Sequence, residues 1–198
     1  MHLVNKVSSF LSVENPDLWL DYLKGLKNAL EHHGVDKTVL STITINPTDN
    51  IYAILLIGPS EKILGGIRLE IKSSTNQIPL EKIRNSFTKI LQRKVSLQSL
   101  NHNPLAEVSG LWVAKEFKGM KLSEDLAKQA MVLAKKLKIS TLVSLLPTHT
   151  LNCFLNLGYV VDPDLPKFAY PDDRYLSTVV WAQIDDFENS LHEKELSI

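Results

Sequence analysis

The segment Lys118–Ser123, KGMKLS, is the part of the chain best suited to bind a ligand, because it joins a predicted strand to a predicted helix. The first backbone N–H groups of a helix have no partner inside the helix and lie at the positive end of its dipole. Such an arrangement suits a phosphate, and Lys118 would add a positive charge. The alternative is an ordinary strand-to-helix turn that binds nothing.

The elements that precede this segment are predicted from hydrophobic spacing and turn residues. A helix is expected to begin at Asn15-Pro16-Asp17 and to end at Gly34, since asparagine caps a helix, proline suits its first turn and glycine ends it. Pro79 opens a second amphipathic helix, and residues 94–105 are predicted to form a loop. Three extended segments between the two helices predict an antiparallel meander: residues 38–45, 51–57 and 62–71.

The elements around and after the segment complete one α/β domain. The strand before it is predicted at 107–115, and Gly110 inside that strand is typical of a bulge. The helix after it begins at Leu122. The acidic tail after Asp185 is expected to form a terminal helix or a frayed end. The remaining predicted elements are a strand at 140–146, a helix at 149–157, a strand at 158–162 and a last strand at about 175–184.

This order of elements resembles the acetyl-coenzyme A-binding core of the GNAT acyltransferase superfamily. In that family the loop reads Arg/Gln-x-x-Gly-x-Gly/Ala and binds the coenzyme A pyrophosphate. Lys118 keeps the basic residue and Ser123 the small last residue, whereas Lys121 stands where the family has glycine. The resemblance implies an α/β (α+β) fold with a mixed, largely antiparallel, splayed sheet flanked by helices. It also implies a single domain over residues 1–198, with a core at about 38–184.

The resemblance further implies which residues form the site. The backbone of Leu111, Trp112 and Val113 is expected to pair with the pantetheine arm, and one amide to stabilise the oxyanion that forms at the thioester. The Trp112 side chain is predicted to pack in the core. Glu107 is expected to be the base that removes a proton from the amine, with a solvated acid at the strand end as the alternative. The residues expected to hold the pyrophosphate are Lys118, Gly119, Met120, Lys121, Leu122 and Ser123.

Two short motifs also resemble one branch of the superfamily, the acyl-homoserine-lactone synthases and long-chain N-acyl amino acid synthases. These enzymes carry Gly-x-Arg-Leu on one strand and Glu-x-Ser-Arg before the cofactor loop. Arg68 and Glu107 match, whereas Gly110 stands where the branch has its second arginine. Arg68 is therefore expected to contact the acceptor. Because Arg68 and Glu70 share one face of their strand, an ion pair between them is the alternative.

A further departure concerns the proton donor for the leaving thiolate. Many family members use a tyrosine four positions before the Gly-aromatic pair, and that position is Phe154 in this chain. Cys153 and His149 are possible substitutes by position, although a lone cysteine is commonly a small buried hydrophobe.

Composition excludes several other classes of function. Lys plus Arg and Asp plus Glu number 22 each, so no global charge attracts nucleic acid or a membrane surface. The single cysteine excludes an intrachain disulfide and a multi-cysteine zinc site, and the adjacent His32 and His33 point apart on a helix. These histidines and the single cysteine predict no metal site. The absence of a long apolar run and of a signal-peptide pattern predicts a soluble, cytoplasmic domain.

Together these features predict an acyltransferase. The donor would be acetyl-CoA or a longer acyl-CoA, with an acyl-carrier protein as another source, and the acceptor a small-molecule or peptide amine. The sequence leaves a homodimer open. The main alternative is a non-catalytic binding or regulatory module of the same fold, because Lys121, Phe154 and Gly110 each replace a residue that active relatives use. An acyl-chain-binding protein is a third hypothesis.

Overall fold

The computed structural model describes residues 6–100 and 104–184. The strands are β1 (Lys6–Leu11), β2 (Ile51–Ile57), β3 (Ile63–Ile71), β4 (Leu105–Val113), β5 (Thr141–Pro147), β6 (Val160–Val161), β7 (Phe168–Ala169) and β8 (Leu176–Gln183). The helices are α1 (Pro16–His33), α2 (Asp36–Leu40), α3 (Pro79–Lys82), α4 (Thr88–Leu100), α5 (Leu122–Lys136) and α6 (Thr148–Leu155).

The strands form a mixed, mostly antiparallel sheet, which confirms the predicted fold class. Their order is β1-β2-β3-β4-β5-β8-β6, and β7 pairs with β8. The ladder between β4 and β5 is parallel; it has three residue pairs and ends at Glu107 with Val143. The resemblance predicts that β4 and β5 splay apart. Their ladder is short, whereas β5 itself continues to Pro147.

The chain divides into two compact units, each built from two segments. The first unit contains the chain up to Glu70 and Val108–Ala130. The second contains Ile71–Glu107 and the chain from Met131 onward. Strand β4 therefore begins in the second unit and ends in the first.

Helix α1 anchors the core of the first unit, as predicted. Trp19, Tyr22 and Leu26 lie on its buried face. The Trp19 indole stacks on the Tyr22 ring with centroids 5.2 Å apart, and its Nε1 donates a hydrogen bond to the Ile45 carbonyl oxygen at 2.7 Å. Gly34 ends the helix with a left-handed φ of 67°.

The prediction of a strand at 38–45 is wrong, and the first strand of the sheet lies elsewhere. Residues 36–40 form α2, and the Ser41 and Thr42 hydroxyls donate to the carbonyl oxygens of Thr38 and Val39 at 2.7 and 2.8 Å. Such local bonds compete with a sheet ladder for the same carbonyls. The edge strand is instead β1, which pairs antiparallel with β2, so the sheet begins well before residue 38.

The helix predicted to begin at Pro79 is two helices in the second unit. Helix α3 stops at Lys82 because Ile83 is extended, with ψ of 124°. Asn85 Oδ1 then accepts from the Phe87 N–H, and Thr88 Oγ1 from the Asn85 N–H, both at 2.8 Å. These side chains satisfy N–H groups at the start of α4 and restart the helix.

The predicted loop at 94–105 is also wrong over most of its length. Helix α4 runs to Leu100 and β4 begins at Leu105, two residues before the predicted start. Residues 101–103 and the predicted tail after Asp185 lie outside the described residues. The later strands and helix, β5, α6, β6 and β8, lie close to their predicted positions, whereas the two-residue strand β7 was missed. Among the described residues, none of the helices is both long and apolar enough to cross a bilayer.

Asp162 is a buried carboxylate at the centre of a polar cluster in the second unit. Its Oδ1 lies 2.7 Å from Lys94 Nζ, and its Oδ2 accepts the Trp181 indole N–H at 2.7 Å. Lys94 also contacts the Asp164 carboxylate at 2.6 Å. Burial alone would raise the pKa of Asp162, but the bonds from Lys94, Trp181 and the Asp164 N–H together lower it below its usual value.

We expect the Asp162→Asn substitution to lower the free energy of unfolding by about 1–3 kcal/mol at neutral pH, since a charged hydrogen bond is lost. Because the pKa of Asp162 is lower in the folded state than in the unfolded state, its carboxylate stabilises the fold at pH values above the unfolded-state pKa. That stability is lost as the pH falls through the folded-state pKa. The wild-type protein should therefore lose more stability than the variant below about pH 4. Urea titrations from pH 3 to 7 measure this, and parallel pH profiles would contradict it.

Candidate active site

The backbone of strand β4 leaves the extended conformation at Gly110, the position where the sequence predicts a bulge. Gly110 has a left-handed φ of 61°, which favours glycine. Its carbonyl oxygen accepts a hydrogen bond from the Tyr22 hydroxyl at 2.8 Å. A Cβ at Gly110 would lie 2.1 Å from that hydroxyl oxygen. Tyr22 thus excludes any side chain at the position where the synthase branch has its second arginine.

Tyr22 itself stays neutral. Burial raises the pKa of its hydroxyl well above the usual value, and the nearby positive charge of Arg68 only partly opposes this. The hydroxyl is therefore a permanent hydrogen-bond donor to β4.

The Trp112 side chain lies in the core of the first unit, as predicted, and is 7% exposed. Its ring covers Gly25 of α1 so closely that a Cβ there would lie 2.1 Å from the ring atoms. Its carbonyl oxygen would lie 2.7 Å from a Cβ at Gly65. Leu111 and Val113 are half-buried. The Trp112 side chain is thus occupied by packing, and the pairing of the Leu111–Val113 backbone with a ligand stays a prediction.

The segment 118–123 has the free N–H groups that the sequence predicts. A short 3-10 turn, Lys115–Phe117, leads into it, and α5 follows from Leu122. The Lys118 and Met120 N–H groups donate to preceding carbonyls at 3.4 Å. The other four N–H groups of the segment, those of Gly119, Lys121, Leu122 and Ser123, donate no hydrogen bond to any described residue.

Lys121 keeps the backbone conformation that glycine would have at this position. Its φ is 57°, in the left-handed region, and its carbonyl oxygen accepts the first helical bonds, from the Glu124 and Asp125 N–H groups. Its side chain is exposed and makes no ion pair with any described residue. Gly119 is also left-handed, with φ of 85°, and a Cβ there would meet nothing within 4 Å. The space beside Gly119 is therefore open, and the segment carries two exposed lysines, Lys118 and Lys121.

We expect Lys121→Gly to raise the free energy of unfolding by about 1 kcal/mol, because glycine adopts a left-handed φ without strain. If the segment binds the coenzyme A pyrophosphate, as the resemblance implies, the affinity for acyl-CoA should fall about 3- to 10-fold at low salt, since one cation is lost beside the N–H groups. Lys138→Gly is a matched control, because Lys138 also has φ of 57° but lies beyond the far end of α5. Chemical denaturation and calorimetry should show the same stabilisation in both variants and weaker binding only in Lys121→Gly. Equal affinities would contradict the role given to Lys121.

Arg68 forms the ion pair with Glu70 that was the alternative to an acceptor contact. The Arg68 side chain is 0% exposed, and its Nη2 lies 3.2 Å from Glu70 Oε2. Its Nε donates to Ser109 Oγ at 3.1 Å and its Nη1 to the Thr44 carbonyl oxygen at 3.4 Å. The Arg68 guanidinium thus contacts residues of its own unit. A contact between Arg68 and a substrate stays a prediction.

Glu107 is buried, 3% exposed, so the alternative of a solvated acid is wrong. Its Oε2 accepts a hydrogen bond from the Leu80 N–H at 2.8 Å. Leu80 belongs to α3, and sequence reasoning missed this contact. The available signal was Pro79 at the start of a helix, since the next N–H in such a turn needs a partner outside the helix.

Phe154 lies in the core of the second unit and packs edge-to-face on the Tyr159 ring, with centroids 5.1 Å apart. Burial raises the pKa of the Tyr159 hydroxyl well above its usual value. Cys153 is partly buried, and His149 is exposed beside Tyr175. The described residues contain no group of His, Cys, Asp and Glu side chains that could hold a metal ion.

The sheet order and the turn from β4 into α5 agree with solved structures of the GNAT fold. FeeM, an N-acyl amino acid synthase from uncultured soil microbes, superimposes with a TM-score of 0.66 at 11% identity, covering 93% of each chain. The acyl-homoserine lactone synthase BjaI, solved with SAM and isopentyl-CoA, gives a TM-score of 0.61 at 14% identity over 98% of this chain and 89% of that chain. Tetrahymena GCN5 gives 0.55 at 14% identity over 90% of this chain and 96% of that chain. The chain therefore has the GNAT fold, as predicted.

Comparisons of sequence are less specific. No family model matches the chain. An uncharacterized protein of Mycobacterium tuberculosis is 23% identical over 189 residues, which cover 92% of this chain and 70% of that protein. An uncharacterized protein of Mycobacterium bovis matches with the same values.

Proposed function

We propose that this protein transfers an acyl group from acetyl-CoA or a longer acyl-CoA to an amine. The observation that carries the proposal is the set of four unpaired N–H groups at the start of α5, beside Lys118 and Lys121. A phosphate is the natural ligand for such a group of donors. The GNAT fold and the isopentyl-CoA of the BjaI structure support the choice of acyl-CoA.

Backbone groups would hold the acyl-CoA more than side chains would. The N–H groups between Gly119 and Ser123 would bind the pyrophosphate, and the two lysines would offset the acidic first turn of α5, Glu124 and Asp125. Met120 would add its exposed side chain to the rim of this site. The half-buried backbone of Leu111 and Val113 would pair with the pantetheine arm, and one amide there would stabilise the oxyanion.

Glu107 would supply the base. It would accept a proton from the amine, directly or through a water molecule, as the amine nitrogen attacks the thioester carbonyl carbon. The new C–N bond then replaces the C–S bond, and the sulfur leaves with the bonding electrons and takes up a proton. A thiol pKa of about 8.5 makes this leaving group adequate without a dedicated acid, so Phe154 is compatible with turnover.

Two assays test the proposal. Calorimetric titration with acetyl-CoA and with a long-chain acyl-CoA should give micromolar binding to the wild-type protein, and the tighter ligand identifies the acyl length. Release of free thiol in the presence of a panel of small-molecule and peptide amines should depend on both donor and amine. Binding of neither donor would overturn the proposal for CoA and direct attention to an acyl-carrier protein as donor. Sedimentation of the same samples decides between a monomer and the homodimer that the sequence leaves open.

The second candidate is a non-catalytic module of the same fold. Phe154 favours it, since the buried phenylalanine provides no proton at the position where relatives have tyrosine. This candidate predicts donor binding without thiol release for any amine, and the two assays together separate it from the enzyme.

A further inference from the structure

Glu107 is contacted by the segment Lys72–Phe87, which contains α3 and which we call the insert. The Leu80 N–H points at Glu107 Oε2 from 2.8 Å, and both residues are buried. A hydrogen bond to an ionised carboxylate is among the stronger kinds, and burial shields it from competition by water. The donor is a backbone group, so its position depends on how firmly α3 is held.

Glu81 is the residue that holds α3 in place. Its Oε2 accepts the Ile78 N–H at 3.0 Å and lies 2.8 Å from Lys72 Nζ. Its carbonyl oxygen accepts from Gln92 Nε2 of α4 at 3.0 Å. Glu81 therefore fixes both the first turn of α3 and the link from α3 to the next helix.

The insert is also tied to β4 near Glu107. The Lys72 N–H donates to the carbonyl oxygen of Leu105, two residues before Glu107, at 2.8 Å. The first residue of the insert, Lys72, is thus bonded to Leu105, and helix α3 of the insert is bonded to Glu107. The Lys72–Glu81 ion pair connects Lys72 to α3. The result is a connected set of largely buried polar contacts that joins the insert to β4 beside Glu107.

We propose that Glu81, through its ion pair with Lys72, is a positioning residue that holds the Leu80 N–H against Glu107 and so orients the base. This inference rests on the proposed function of Glu107. A buried ion pair is a poor means of gaining stability, because desolvation offsets most of its Coulomb energy. It is an effective means of fixing a donor, and catalytic groups must be held within about 0.5 Å of their working position.

The test compares two substitutions that each remove one buried carboxylate charge. Glu81→Gln keeps an acceptor for the Ile78 N–H but leaves Lys72 without its carboxylate. Asp162→Asn likewise takes one carboxylate from Lys94, which keeps Asp164. We expect both to destabilise the protein, but only Glu81→Gln to lower kcat, by about 10- to 100-fold, with the dissociation constant for acyl-CoA unchanged. Hydrogen exchange at the Leu80 amide should accelerate in Glu81→Gln and not in Asp162→Asn.

A double variant separates misplacement from the cost of an unpaired charge. Lys72→Met combined with Glu81→Gln removes both charges, so stability should recover while kcat stays low. The proposal is overturned if Glu81→Gln keeps the wild-type kcat, or if Asp162→Asn loses as much. Wild-type protein that releases no thiol with any donor and amine overturns the proposed function first. If the Leu80 amide of such an inactive wild-type protein exchanges slowly, the Leu80–Glu107 hydrogen bond contributes to stability alone.

Discussion

Glu107→Gln should reduce amine-dependent thiol release about 100- to 10,000-fold, which is the range typical of a lost general base. Glutamine has the same shape as glutamate, and its side-chain oxygen can still accept the Leu80 N–H that lies 2.8 Å from Glu107 Oε2. The fold should therefore stay intact, and the loss should appear in kcat. The measurement is steady-state thiol release over a range of amine concentrations.

Donor affinity is the internal control for this substitution. The residues proposed to bind acyl-CoA lie at 111–113 and 118–123, so calorimetry should give the wild-type dissociation constant for the glutamine variant. Unchanged turnover would show that Glu107 is only the partner of α3 and that another group or water removes the proton. A parallel loss of binding and turnover would point to disturbed structure instead.

Gly110→Ala is expected to lower the free energy of unfolding by about 2–5 kcal/mol. Two costs add: an alanine with φ of 61° is strained, and its Cβ would lie 2.1 Å from the Tyr22 hydroxyl oxygen. The contact must be relieved by moving either α1 or β4, and both are buried here. Chemical denaturation of the purified variant measures the loss.

A double-mutant cycle separates the two costs. Tyr22→Phe removes the hydroxyl, so the next contacts of the alanine Cβ would be at 3.4 and 3.5 Å, which is ordinary packing. Tyr22→Phe alone should cost about 1 kcal/mol for the lost hydrogen bond to Gly110. The double variant should be less destabilised than the sum of the single ones, leaving mainly the backbone strain. Additive effects within about 0.5 kcal/mol would contradict the steric explanation.

The sequence predicts the part of the fold that follows from local pattern. Pro16 and Gly34 mark the ends of α1, and the run after Lys121 marks α5. It also predicts the Gly110 irregularity and the free N–H groups before α5, because both depend on residue type and chain order. The fold class was predicted because the order of these elements resembles the GNAT core.

The errors occur where a distant partner decides the structure. The threonine-rich segment at 38–45 has strand propensity, but its hydroxyls bind local carbonyls, and Lys6–Leu11 takes the place beside β2. The break between α3 and α4 depends on side chains of Asn85 and Thr88. The contact of Glu107 with Leu80 joins residues 27 positions apart, and no periodicity signals it.

The way the chain passes between the two units limits how the protein can be divided experimentally. Each unit is assembled from two separate stretches, so the polypeptide crosses from one to the other three times. No single cut yields a fragment that contains one whole unit and none of the other. A fragment ending at Glu70 lacks Val108–Ala130, and one beginning at Met131 lacks Ile71–Glu107 together with the carboxylate of Glu107. Deletion mapping of this protein would therefore report unfolding rather than the location of a function, and point substitutions are the suitable tool.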